Sequence, residues 1–141
     1  MKRLILLTKL KSRARISKII DTLNLNESDY ICVYYPLKYK KLPKLISHLH
    51  WYLLVVFNIF KFHRKSVFYV VGFDIGFIAL FFSKLLKYQF IYDNADNISI
   101  SKNYNIWVKK LLAFLEEKII KRSHLHIVPH NIRLKYYKNK L

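Results

Sequence analysis

Five short stretches of this chain are apolar or aromatic almost from end to end, at residues 4–8, 30–35, 67–71, 90–92 and 125–128. A strand with one wet face alternates apolar and polar side chains, whereas one that is apolar throughout is buried on both faces, the condition of a parallel sheet covered by helices. Between these runs the period changes. Residues 13–25 place Ile16, Ile19, Ile20 and Leu23 at helical spacing, and residues 75–87 form a second helical stretch entered through Gly72, Phe73 and Asp74. Residues 107–122 set Trp107, Leu111, Phe114, Leu115 and Ile119 on one helical face, with Lys110, Glu117 and Lys121 on another. Each interval between strands leaves room for a right-handed helical crossover. The pattern predicts one α/β domain over residues 1–141: a doubly wound, mainly parallel, Rossmann-like sheet of about five strands with helices on both faces.

Two further stretches resemble membrane spans without satisfying the requirements for one. Residues 45–60 carry no Lys, Arg, Asp or Glu, but they include Ser47, His48, His50 and Asn58 and fall short of the roughly 20 apolar residues a span needs. Residues 66–83 are interrupted by Asp74. Both are expected to be buried or interfacial elements. The chain is 53% hydrophobic and 16% aromatic, which excludes a disordered polymer. Its two glycines and three prolines are too few for a turn-rich sandwich or barrel. The one cysteine, Cys32, cannot form an intrachain disulfide and suits a reducing compartment. The amino-terminal apolar run is only four residues long and is followed by basic residues, so no secretory signal is expected.

Charge narrows the partners. Twenty-six Lys and Arg against eight acids give a formal charge of +18, which favours anionic surroundings. Lys41 and Lys44 precede, and Lys61, Arg64 and Lys65 follow, the aromatic stretch that holds Trp51. Such a helix can lie in the head-group layer of an anionic membrane, with those six as membrane-surface residues. A core helix with solvated ends gives the same pattern. None of the RNA-binding signatures appears, which disfavours nucleic acid.

With so few acids, their placement carries information. In an open α/β sheet, ligands bind beyond the carboxyl ends of the strands. Asp74 follows the third strand, Asp93, Asn94, Asp96 and Asn97 end the fourth, and His130 and Asn131 follow the fifth. Asp93 and Asp96 are the candidate catalytic carboxylates, able to orient a hydroxyl or take its proton. Asp74, Asn94, Asn97, His130 and Asn131 are candidates for substrate binding. Asp and Asn at strand ends also cap helices and satisfy turn amides, a structural role that fits each one taken singly. The pairs His48/His50 and His124/His126 lack a third ligand, so no metal site is expected. Residues 8–15 contain no glycine, which removes a phosphate loop and a dinucleotide fingerprint. No serine stands in a nucleophile elbow.

The run Val70-Val71-Gly72-Phe73-Asp74, then 79–86, then Phe90-Ile91-Tyr92-Asp93-Asn94-Ala95-Asp96, then Leu115-Glu116-Glu117-Lys118 with Arg122, and finally His126-Ile127-Val128-Pro129 follow one another in a recognisable order. In that order, residues 67–137 resemble the amino-terminal, acceptor-side domain of the GT-B glycosyltransferases of family 4, found in capsule, exopolysaccharide and lipopolysaccharide assembly. Residues 4–35 fit it more loosely. The resemblance implies transfer of a sugar from a nucleotide-sugar co-substrate, with no other cofactor, to a lipid-linked or saccharide acceptor. It implies a cytoplasmic protein held peripherally at the inner face of the cell membrane, with Asp93 and Asp96 at the acceptor. Two features depart from the family: the glycine loop after the first strand is missing, and Ala95 stands where many members keep a histidine. The family's carboxyl-terminal donor domain is not represented in residues 1–141, so a separate donor-binding subunit, or an incomplete and inactive enzyme, is expected. The charge by itself supports a different expectation, a non-catalytic basic module that binds anionic membrane or nucleic acid.

Overall fold

The computed structural model describes residues 3–8, 13–35, 43–94 and 104–128, with the backbone alone at residues 13–15 and 44. Lys41, Asp96, Asn97, His130 and Asn131 lie outside the described residues, as does the side chain of Lys44. Strands β1 (Arg3–Thr8), β2 (Tyr30–Tyr34), β3 (Ser66–Val71), β4 (Phe90–Asp93) and β5 (Leu125–Ile127) form one sheet in the order β2-β1-β3-β4-β5. Every neighbouring pair is parallel. The helices among the described residues are α1 (Arg13–Thr22), α2 (Lys44–Phe62), α3 (Phe73–Leu86) and α4 (Ile106–Arg122). The Rossmann-like, doubly wound α/β fold anticipated from the apolar runs is the fold of this chain.

Strand periodicity splits the core in two. Phe68 and Val70 of β3, with Phe90 and Tyr92 of β4, enter a large cluster with α2, α3 and α4. Tyr69, on the opposite face, joins Leu4, Leu6 and Ile16 in a smaller cluster backed by α1. Three helices therefore cover one face of the sheet, and on the other face α1 packs against the smaller cluster.

Helix α2 has the length and apolarity of a membrane span over Leu45–Phe62. It nonetheless packs on the sheet through Trp51, Val55 and Ile59, all fully buried and spaced by four residues. Burial of each large apolar side chain contributes about 1.5–3 kcal/mol, so this face holds the helix to the core. Trp51 is thereby corrected from a membrane-surface residue to a core residue: the spacing that makes a helix amphipathic placed it on the inner side. The outer side carries Leu45, Leu49, Leu53 and Phe57.

Helix α4 also differs from expectation. Its patterned apolar face is largely in water, with Trp107 at 74% exposure and Leu111 and Phe114 more than half exposed. Glu116, Ile119 and Ile120 are the residues it buries. The edge strand β5 next to it in sequence is only three residues long, so there is little sheet for the first half of α4 to cover.

Candidate functional site

The turn from β3 into α3 organises the carboxyl edge of the sheet. Gly72 has φ +94° and ψ 156°, a backbone conformation open essentially to glycine alone, which costs other residues about 1–3 kcal/mol. That geometry lets its N–H donate to the Asp93 carbonyl at 3.1 Å, tying the turn to the end of β4. One helical turn further on, Gly76 gives α3 close approach to its neighbours: a Cβ there would lie 2.8 Å from Tyr92 Cε2 and 3.3 Å from Ile119 Cγ2.

Asp93 is the last residue of β4 and only 1% exposed. Its Oδ2 accepts a hydrogen bond of 2.7 Å from the Tyr69 hydroxyl. Tyr69 stands on the adjacent strand and on the same sheet face, two residues before Val71, the register partner of Asp93. The two side chains line a cavity of about 300 Å³ beside α1, together with Lys18, Ile19, Leu23 and Ile127. That volume is at the lower end for small-molecule sites and suits one ring-sized ligand. Its walls are mostly apolar, with a carboxylate at one place and an amine at another. Such a cavity can stack the C–H face of a ring while the carboxylate accepts from a hydroxyl.

The neighbouring candidates take other partners. Asp74, in the first turn of α3, accepts from the Tyr52 hydroxyl of α2 at 2.9 Å. Tyr52 stacks on His48 with centroids 6.3 Å apart, and His48 contacts Tyr35 at 5.7 Å. Asn94 is fully buried, and its amide donates to Glu116 Oε1 at 2.8 Å. Asn94 is thus a tie between β4 and α4, not a wall of the cavity, which corrects its expected part in substrate binding. Asp74, Asp93 and Asn94 do share one edge of the sheet, but their side chains are hydrogen-bonded to three different elements.

His126 of β5 stacks on Tyr92, with centroids 5.6 Å apart and rings inclined by 12°. Burial lowers its pKa below the usual histidine value, and the negative charge of Asp93 works in the opposite direction. Burial also pushes the Tyr88 phenol upward, leaving it a neutral donor to the Ala79 carbonyl at 3.1 Å.

Tyr69, which the sequence did not single out, and Glu116, which it named in the resemblance without a site role, both hold candidate residues in place. Tyr69 reads as one more aromatic in a buried strand. Glu116 had a visible signal, an acid directly beside Leu115 and one turn before Ile119 and Ile120. Among the described residues, no group of three His, Cys, Asp or Glu side chains is placed to hold a metal ion. The basic residues Lys61, Arg64 and Lys65 are exposed, at the end of α2 and in the turn leading to β3, on the opposite edge of the sheet from Asp93.

No protein-family model, curated protein or solved structure matches this chain.

Proposed function

We propose that this domain is the acceptor side of a glycosyltransferase of envelope polysaccharide synthesis, working with a donor-binding half on another segment or subunit. The observation that carries the reading is the Asp93 carboxylate at the carboxyl end of a parallel sheet, opening on an apolar cavity of about 300 Å³. In this reading a saccharide ring lies against Ile19, Leu23 and Ile127. Asp93 accepts the hydrogen bond of an acceptor hydroxyl and takes its proton as the oxygen attacks the anomeric carbon of the donor. The nucleoside diphosphate leaves toward the donor half. Asp96, three residues beyond Asp93, is assigned to the same acceptor.

A transfer assay tests this. The protein is co-expressed with the product of the adjacent reading frame and supplied with labelled nucleotide sugars and a membrane lipid extract. Label should enter the extract with the wild type and fall at least about tenfold with Asp93→Asn, a loss of 1.4 kcal/mol or more in transition-state stabilisation. Transfer unchanged by Asp93→Asn would rule out the assigned role.

A second element of the reading concerns location. Helices α2, α3 and α4 lie side by side, linked by the Phe60–Phe82 ring contact and by the approach of Gly76 to Ile119. Their outward faces expose Leu49, Leu53 and Phe57, then Phe77 and Phe81, then Trp107, Leu111 and Phe114. An apolar surface of this breadth is unusual on a soluble monomer. On a chain whose formal charge is +18, it fits peripheral docking on an anionic membrane at the cytoplasmic face. A non-catalytic membrane-binding module would use the same surface, and the transfer assay separates the two.

A further inference from the structure

The amino edge of the sheet carries a second cavity, of about 540 Å³, where α2 ends and β3 begins. Arg3, Lys61, His63, Arg64 and Lys65 line it, and among the described residues no acid does. The cluster is held by the backbone. The Arg3 N–H donates to the Lys65 carbonyl at 3.1 Å, the His63 N–H closes α2 on the Ile59 carbonyl at 2.9 Å, and the Lys65 N–H bonds the Phe62 carbonyl at 3.0 Å. His63 Nδ1 lies 2.8 Å from the Phe60 carbonyl; a carbonyl only accepts, so Nδ1 carries the proton and the ring is oriented by it.

Cations at a helix carboxyl end have an ordinary structural use, since they offset the macrodipole. That dipole amounts to only about half a negative charge, while Arg3, Lys61, Arg64 and Lys65 bring four permanent positive ones to a single cavity. The excess is self-repelling, and a multiply charged anion relieves it. A separate observation points the same way. Ser66 is 4% exposed, lines the cavity, and its hydroxyl makes no hydrogen bond among the described residues, which leaves a donor in the cavity wall for a ligand oxygen.

The surroundings indicate which anion. The exposed stripe of α2, Leu49, Leu53, Phe57 and Phe60, runs along the helix to the cavity, where Lys61 follows Phe57 by one turn and Arg64 follows Phe60. A ligand with a phosphate head and hydrocarbon chains satisfies both surfaces together. We propose that this cavity is a head-group site for a phosphate-bearing membrane lipid whose chains lie along the α2 stripe. Strand β3 spans six residues, which puts this site roughly 17–20 Å from the Asp93 edge. It therefore anchors and orients the domain without supplying the reacting group. The inference rests on the membrane-docking element of the reading above and is independent of glycosyl transfer.

Vesicle flotation of the full chain tests it, with phosphatidylcholine vesicles doped either with phosphatidic acid or, at matched surface charge, with oleate. The wild type should prefer the phosphatidic acid vesicles by about tenfold, since guanidinium and ammonium groups converge on a phosphate. The Lys61→Gln/Arg64→Gln/Lys65→Gln variant should lose that preference. Removing three charges elsewhere, in Lys84→Gln/Lys110→Gln/Lys118→Gln, should weaken binding to both vesicles and keep the preference. Equal binding of the wild type to the two vesicles, or a preference that survives in the cavity variant, overturns the head-group site while leaving membrane docking in place. Wild-type protein that floats with neither vesicle overturns both. Inorganic pyrophosphate that binds the cavity, as read by chemical-shift changes at Arg64 and Lys65, without displacing the protein from phosphatidic acid vesicles would assign the cavity to a soluble phosphate and overturn the lipid.

Discussion

The Tyr69 hydroxyl donates a 2.7 Å hydrogen bond to Asp93 Oδ2 across the β3–β4 boundary, with both residues buried. It fixes the Asp93 carboxylate, which lines the cavity beside α1, and a hydrogen bond to a charged group is worth about 1.5–3 kcal/mol. Tyr69→Phe should therefore lower unfolding free energy by roughly that amount. In Asp93→Asn the amide oxygen still accepts from the hydroxyl, so the loss should be smaller. Urea titrations of the two variants check the order.

Gly76 gives a prediction with the reverse of the usual sign. In an exposed helix interior, Gly→Ala is stabilising by up to about 1 kcal/mol. Here the new Cβ would meet Tyr92 Cε2 at 2.8 Å, and Tyr92 is fully buried and stacked on His126. Overpacking of this kind costs about 1–3 kcal/mol. Gly76→Ala should lower the Tm, and Gly76→Ala with Tyr92→Leu should recover part of the loss in a thermal scan.

The buried pair Asn94–Glu116 joins β4 to α4. Glu116→Ala should cost about 1–3 kcal/mol, because a buried polar group loses its partner. Glu116→Gln keeps an acceptor oxygen in place and should cost less. A double-mutant cycle with Asn94→Ala, read by denaturant unfolding, should show a coupling of at least about 0.5 kcal/mol.

His126 sets a pH dependence. Its folded-state pKa is lowered by burial, against the opposing charge of Asp93, so the unfolded chain binds its proton more readily than the folded one. That contribution to stability is fully present above the unfolded value near 6.5 and is lost as pH falls through the window between that value and the lower folded one. The Tm should decline on acidification below pH of about 6.5, and His126→Gln should flatten that part of the profile.

The strands were legible because burial on both faces leaves no alternation. The runs at residues 4–8, 30–35, 67–71, 90–92 and 125–128 became β1 to β5, each shifted by one residue at one end. Helix orientation was less legible. Periodicity identifies an apolar face but not what covers it, so Trp51 went to the core and Trp107 to solvent. The site was half legible. Asp93 sits at the expected edge, but its partner Tyr69 is 24 residues away and looks like any strand aromatic. Asn94 resembles a ligand-binding amide until Glu116 is placed against it.

Saturation-transfer NMR against methyl glycosides of glucose, galactose and N-acetylglucosamine tests the acceptor site most directly, with circular dichroism confirming that each variant is folded. The account predicts that at least one glycoside binds the wild type at residues around Ile19, Tyr69 and Ile127, and that Asp93→Asn weakens it by about tenfold. Binding unaffected by Asp93→Asn, or signals confined to the helical face of α2, α3 and α4, would contradict it.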